Sequence, residues 1–378
     1  MPERIAVVVG TRPEIIKLAE IVLRLGDRAM LIHTGQHWDH DMSGTFLEQN
    51  SLPEPAVTLA VGGGSRAQQI ARTMEGLEAA FVVERPLAVM VQGDTNTVVG
   101  ASLVANAMSI PLVHVEAGLR SFDRLMPEEH NRVIADHLAD LCLAPTENSR
   151  RLLLAEGISA DRIAVTGNTV VAAVSSALEH AQVSAPALLD EHGLTDGEFI
   201  LATIHRPENT DDVSTLETLF TSLGEISSRV APVVVPLHPR TRRRLDEFGL
   251  THLLGPLTVT GPLGYDQFIA LASRASVVVS DSGGIQEEAS VWKRPVVVVR
   301  RSTERPEGLG TFSFLTGPGT DLVDAATDLH RRRHELHAEL GELPSPYGDS
   351  TAASASVAAV DRLLAALTDR RQTPWILR

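Results

Sequence analysis

The run ASVVVSDSGGIQEEAS, residues 275–290, joins a β-branched segment to a helical one through Asp281, Ser282 and two glycines. The helical part carries two carboxylates, Glu287 and Glu288. A strand that turns through glycine into a helix is a βα unit, and it presents free backbone N–H groups to an anion. Paired glycines also occur in plain turns. The flanking chain has to separate the two.

On either side the same alternation recurs. RIAVVVG (4–10), AMLIHTG (29–35), LAVMVQGD (87–94), PLVHVEAG (111–118) and DLCLAPT (140–146) are apolar strand candidates with helical segments between them. The pattern restarts with GEFILATIH (197–205), APVVVPLHP (231–239), ASVVVSDSG (275–283) and RPVVVVRR (294–301). Near-continuous apolar strands alternating with helices predict parallel sheets covered on both faces. Between the sets, residues 165–193 read as a connecting helix and a small-residue linker, with hinges near 168–190. The expected fold class is α/β, with two Rossmann-like domains facing a cleft. Residues 1–168 form the first and 169–351 the second, and a C-terminal helix, 352–378, packs back on the first.

The length of 378 residues fits two domains. A hydrophobic content of 43% fits a globular chain with a large core. The single cysteine, Cys142, cannot close an internal disulfide and reads as a core residue of a cytoplasmic protein. A net charge of −15 argues against nucleic acid and anionic membranes as partners. No apolar run is long enough to span a bilayer. An anionic ligand would therefore have to be met by locally gathered cations.

In an open parallel sheet the ligand sits beyond the carboxyl ends of the strands, and the unusual polar residues fall there. GTRPEIIK (10–17) follows the first strand and places Arg12 and Lys17 around a helix start, as phosphate requires. Either could also be an ordinary surface residue. Asp94 in QGDTNT and Glu116 in HVEAG each end an apolar strand, where a carboxylate is costly unless paired or functional. Glu128 and Glu129 follow Pro127 at a helix start, a position that also suits plain dipole charge. His205 ends a strand in TIHRPEN, as a functional or a structural histidine. There is no GxGxxG, no HExxH, no cysteine pair and no GxSxG elbow, so dinucleotide, metal and serine-nucleophile readings lack support.

Nine segments in order carry a resemblance. They are GTRPEIIKLAEIV, TGQHWDHDMSGTF, QGDTNT, HVEAGLRSFDRLMPEEHNRVIADHLADL, PTENSRRLLLAEG, VTGNTVV, HRPEN, DSGGIQEEAS and TERPEG. Together they are similar to the non-hydrolysing UDP-N-acetylglucosamine 2-epimerase family. The resemblance implies the glycosyltransferase-B arrangement, with a UDP-sugar in the interdomain cleft, a homodimer, and no metal or other cofactor. It implies that Arg12, Lys17 and Arg305 meet the diphosphate together with Ser282, Gly283 and Gly284. It places Glu288 on the ribose hydroxyls and Leu263 and Phe268 beside the uracil. Asp94, Glu116, Glu128 and His205 match the catalytic positions. The implied reaction interconverts UDP-N-acetylglucosamine and UDP-N-acetylmannosamine through loss and re-addition of UDP.

The chain also departs from that pattern. Trp38 and Asp39 stand where relatives commonly carry Arg and Gln, 61–69 is Gly-rich, Arg240 interrupts a usual motif, and the 304–311 loop is shorter. An acidic residue repels a diphosphate, so no activator site for a second UDP-sugar is expected. A modified relative of the usual sugar, or a retaining glycosyltransferase of the same architecture, is the competing reading.

Overall fold

A computed structural model describes residues 4–36 and 52–372. The chain divides into two compact units, Met1–Ala173 with Tyr347–Arg378, and Val174–Pro346. Trp38 and Asp39 lie outside the described residues.

The first unit is built on strands β1 (Ile5–Val9), β2 (Ala29–His33), β3 (Val57–Thr58), β4 (Ala88–Gln92), β5 (Leu112–Val115), β6 (Leu141–Ala144) and β7 (Ile163–Val165). They pair in parallel in the order β3-β2-β1-β4-β5-β6-β7. Ile5 is the register partner of both Ala29 and Ala88, so β1 lies between β2 and β4. Successive side chains of a strand leave opposite faces. Ile5, Val7 and Val9 accordingly pack with Ile15, Leu18 and Ile21 of the helix Arg12–Leu25. Ala6 and Val8 pack with Leu77 and Phe81 of the helix Arg66–Glu84. Covering both faces is what demands an unbroken apolar strand. The helix Ala352–Gln372 adds Ala353, Ala359 and Val360 to the first of these clusters, and Asp361 pairs with Arg28 at 2.7 Å. Cys142 is buried on β6, and burial pushes its thiol well up.

The second unit repeats the plan with β8 (Ile200–Thr203), β9 (Val233–Pro236), β10 (Thr258–Thr260), β11 (Val277–Ser280), β12 (Val296–Val299) and β13 (Ser313–Thr316). All are parallel, in the order β10-β9-β8-β11-β12-β13. In each sheet the order reverses once, between β1 and β4 and between β8 and β11. Such a reversal leaves a crevice beyond the strand ends, because the loops on its two sides diverge.

One expectation is corrected. The supposed linker is part of a single helix, Val170–Glu191, which runs through Pro186. Its many alanines, the best helix formers, keep the segment helical. Among the described residues no helix is long and apolar enough to cross a membrane.

Candidate active site

In the first unit, the loops after β1, β4 and β5 gather the polar residues. Arg12, half-buried, is the first residue of its helix, and Lys17 lies buried farther along. The Lys17 ammonium forms a buried ion pair with Glu116, and Asn168 Nδ2 donates to the same carboxylate at 3.4 Å. Glu116 holds its place at φ +66°, a left-handed conformation that a side chain with a Cβ adopts only at a cost.

Asp94 follows Gly93 at the end of β4 and is ion-paired with Arg132. Asn131 Nδ2 donates to the Asp94 carbonyl at 2.7 Å. The two adjacent glutamates at the start of the helix Pro127–Leu138 behave differently. Glu129 is buried and accepts from Ser121 N at 2.9 Å, Phe122 N at 2.9 Å and Arg132 Nη1 at 2.6 Å. That carboxylate braces the loop. Glu128 is exposed.

Glu14 is a further buried carboxylate of this unit. It accepts from Gly10 N at 2.9 Å, Thr11 N at 2.7 Å, Thr11 Oγ1 at 2.8 Å and Thr95 Oγ1 at 2.8 Å. Burial outweighs those four donors and raises its pKa to about 7. Beneath the same loops, Asp136 accepts from Gly118 N at 3.1 Å and pairs with Arg120 at 2.7 Å and His114 at 2.6 Å. Burial alone would raise Asp136, but the charges of His114 and Arg120 prevail and hold it below the usual carboxylate range.

In the second unit, the loops after β8 and β11 carry the counterparts. Asp281, fully buried, accepts from His205 N at 3.0 Å, Arg206 N at 2.9 Å and Asn209 Nδ2 at 3.1 Å. Its other oxygen lies 3.1 Å from His205 Nδ1. Burial works against this carboxylate too, yet the hydrogen bond and charge of His205 keep it low. His205 is thereby held on one ring nitrogen, with its side chain 38% exposed.

Ser282 precedes the helix Gly283–Trp292 and its side chain caps nothing. Gly283 has no room for a Cβ, which would sit 2.5 Å from Arg305 Nη1 and 2.6 Å from Glu304 Oε1. A Cβ at Gly284 would meet only Ser282 Oγ, at 3.9 Å, so that side of the turn is open. Arg305 is buried and held by Glu287 at 2.7 Å and by Glu304, which also pairs with Arg300 at 2.9 Å. Glu288 is half-buried, one residue beyond Glu287. Phe268 packs edge-on to Trp292 with centroids 6.0 Å apart, and Leu263 is half-buried just before that helix, Tyr265–Ala272. Among the described residues no three His, Cys, Asp or Glu side chains are grouped to hold a metal ion.

Three residues that hold these groups escape the sequence reading: Glu14, His114 and Asp136. One leaves a trace: His114 interrupts the apolar run LVHV.

Two parallel sheets, each with one reversal and a polar set at the loops beside it, define a doubly wound α/β protein of the nucleotide-binding type. The UDP-N-acetylglucosamine 2-epimerase family model matches residues 25–361. The UDP-N-acetylglucosamine 2-epimerase of Methanococcus maripaludis is 41% identical over 316 residues, 82% of this chain and 86% of its own. The UDP-2,3-diacetamido-2,3-dideoxy-D-glucuronate 2-epimerase of Pseudomonas aeruginosa is 38% identical, over 86% of this chain and 90% of its own. The Methanocaldococcus jannaschii UDP-GlcNAc 2-epimerase, solved in complex with UDP-GlcNAc and UDP, superposes with a TM-score of 0.85 at 36% identity, over 97% of this chain and 99% of its own. The chain belongs to the UDP-N-acetylglucosamine 2-epimerase family.

Proposed function

We propose that this chain interconverts UDP-N-acetylglucosamine and UDP-N-acetylmannosamine, in the cytoplasm and as a homodimer. The C2 proton of the sugar is not acidic, since no carbonyl adjoins it. Expelling UDP from C1 builds positive charge on the anomeric carbon and lets that proton leave, giving 2-acetamidoglucal and UDP. Protonation from the other face and re-addition of UDP complete a redox-neutral cycle. Residues 1–168, with the terminal helix, supply the proton-handling groups Asp94, Glu116 and Glu128. Residues 169–351 hold UDP through Ser282, Gly283, Gly284, Glu288, Arg305, Leu263 and Phe268, with His205 beside them. Arg12 and Lys17 add positive charge from the first unit.

The observation that carries this reading is the placement of Asp94 and Glu116 at adjacent strand ends beside the reversal of a sheet, within a chain of this family. Incubation with UDP-N-acetylglucosamine in deuterated water tests it. Deuterium should appear at C2 of both epimers; unchanged substrate overturns the reading.

A second substrate is favoured by one comparison, the Pseudomonas aeruginosa relative named for a diacetamido-glucuronate sugar. The same exchange run on that sugar separates the two, because the preferred substrate exchanges faster. We further read the chain as lacking activation by a second UDP-sugar. Arg66, the cation in the 61–69 stretch, is engaged with Asn131 Oδ1. Pure UDP-N-acetylmannosamine should therefore react without added activator.

A further inference from the structure

The structure assigns a positioning role to the buried couple His114–Asp136: it sets the two turns that present Asp94 and Glu116. This rests on the reaction proposed above. His114 sits on β5 and is wholly buried. Its Nε2 lies 2.8 Å from the carbonyl oxygen of Gly93, the residue before Asp94. Its Nδ1 lies 2.6 Å from Asp136 Oδ1. The other Asp136 oxygen takes the N–H of Gly118, two residues beyond Glu116. One imidazole–carboxylate couple thus fixes the turn after β4 from one side and the turn after β5 from the other.

Both turns need such a restraint. Gly93 stands at φ +75°, Glu116 at +66° and Gly118 at +83°, so three residues of the two turns occupy left-handed backbone. Such conformations persist only where their surroundings over-determine them. Arg120, which pairs with Asp136 at 2.7 Å and is also bonded to Glu156, anchors the couple from the far side. His114 and Asp136 are both fully buried, and burying such groups is costly unless they are paired. The spacing of proton-transfer groups is where a displacement of about 1 Å costs roughly a hundredfold in rate.

Two substitutions divide the couple. In H114N the amide nitrogen falls near the position of Nδ1 and keeps the Asp136 contact, while the Gly93 contact is lost. In H114Q the amide nitrogen falls near Nε2 and keeps the Gly93 contact. C2 exchange by the wild-type enzyme is measured first, and its absence overturns the reaction and this role with it. With exchange present, turnover of H114N should fall by about tenfold to a hundredfold, while UDP affinity stays within about twofold of wild type. H114Q should recover most of that turnover. Equal turnover in H114N and wild type overturns the assignment, as does a parallel loss of turnover and UDP affinity. Failure of both variants to fold also overturns it, since the couple would then be holding the fold and not the two turns.

Discussion

At the entrance to the helix Arg12–Leu25, the backbone N–H groups of Gly10 and Thr11 both donate to Glu14. At the entrance to the helix Gly283–Trp292, the side chain of Ser282 caps nothing, and the nearby carboxylates Glu287 and Glu304 are turned onto Arg305. Both helices follow a strand beside the reversal of their sheet, and both begin in motifs that look made for phosphate. The first entrance is filled by the chain's own anion. At the second, Ser282 N donates to Ser280 Oγ at 3.0 Å, and we propose that the N–H groups of Gly283 and Gly284 meet an anion from outside. Sequence motifs of one kind can thus serve opposite ends, depending on whether a carboxylate lies within reach of the loop. We therefore place the diphosphate contacts mainly on the second unit and the proton chemistry on the first.

The largest test falls on Arg305. Arg305→Ala removes a buried cation from Glu287 and Glu304, which should cost on the order of 3–5 kcal/mol of stability. It should also weaken UDP binding by about 1.5–3 kcal/mol. Thermal unfolding without ligand, alongside calorimetric titration with UDP, reads both. Wild-type stability combined with lost affinity would mean that the ion pairs contribute nothing to the folded turn.

Glu14 offers a comparable effect with a distinctive pH dependence. Folding raises its pKa from 4.5 to about 7, so the folded chain holds the proton more tightly than the unfolded one. The stability that this contributes is complete below pH 4.5, declines as pH rises through about 7, and is absent above that. Roughly 3 kcal/mol is at stake over the window. Glu14→Gln has no proton to lose, so its unfolding free energy should vary less between pH 4.5 and 7 than that of wild type. Urea unfolding at a series of pH values checks this. Parallel curves would show that the four donors keep Glu14 ionised throughout.

Asp94→Asn should cut turnover by about a hundredfold or more while leaving UDP affinity intact. Glu128→Gln should do the same without affecting stability, because its side chain is exposed. If UDP affinity fell in step with turnover, the division of labour between the units would be wrong.

The two glycines of the second entrance probe it more finely. Gly283→Ala forces the Arg305–Glu304 pair aside and should lower both stability and UDP affinity, by roughly 1–2 kcal/mol each. Gly284→Ala meets no close neighbour and should leave the melting temperature alone while lowering UDP affinity. If the two variants matched in both respects, Gly284 would not face a ligand.

How far the sequence could go shows in which strands it revealed. The strands it missed, β3, β7, β10 and β13, are the edges of the two sheets. An edge strand is short and only partly covered: VT, IAV, TVT and SFLT carry exposed or half-buried positions where β1, β4, β8 and β11 are buried almost throughout. The unbroken apolar run exists only where both faces and both edges are covered. The site divides similarly. Motif residues such as Asp94 and Ser282 stand out at strand ends. Arg132, the partner of Asp94, comes from 38 residues away, and Arg305, the partner of Glu287, from 18 residues away. That pairing is made by the fold, and no local pattern announces it.

The smallest effect belongs to Ser282. A serine before a helix ordinarily caps it, and replacing such a cap by alanine costs about 1 kcal/mol. Here the Ser282 side chain makes no cap, so Ser282→Ala should change stability by less than about 0.5 kcal/mol. Thr95, whose Oγ1 accepts from Val98 N and donates to Glu14, supplies the contrast from the first unit. Thr95→Ala should cost on the order of 1–2 kcal/mol, since it removes a cap and one donor from a buried carboxylate. Ser282→Ala should act on the ligand instead, reducing UDP affinity by roughly 0.5–1.5 kcal/mol, the worth of one neutral hydrogen bond. Melting temperatures and UDP titrations of the two variants, measured side by side, decide it. A destabilised Ser282→Ala with unchanged UDP affinity would mean that this helix entrance, like the first, is completed by the protein itself.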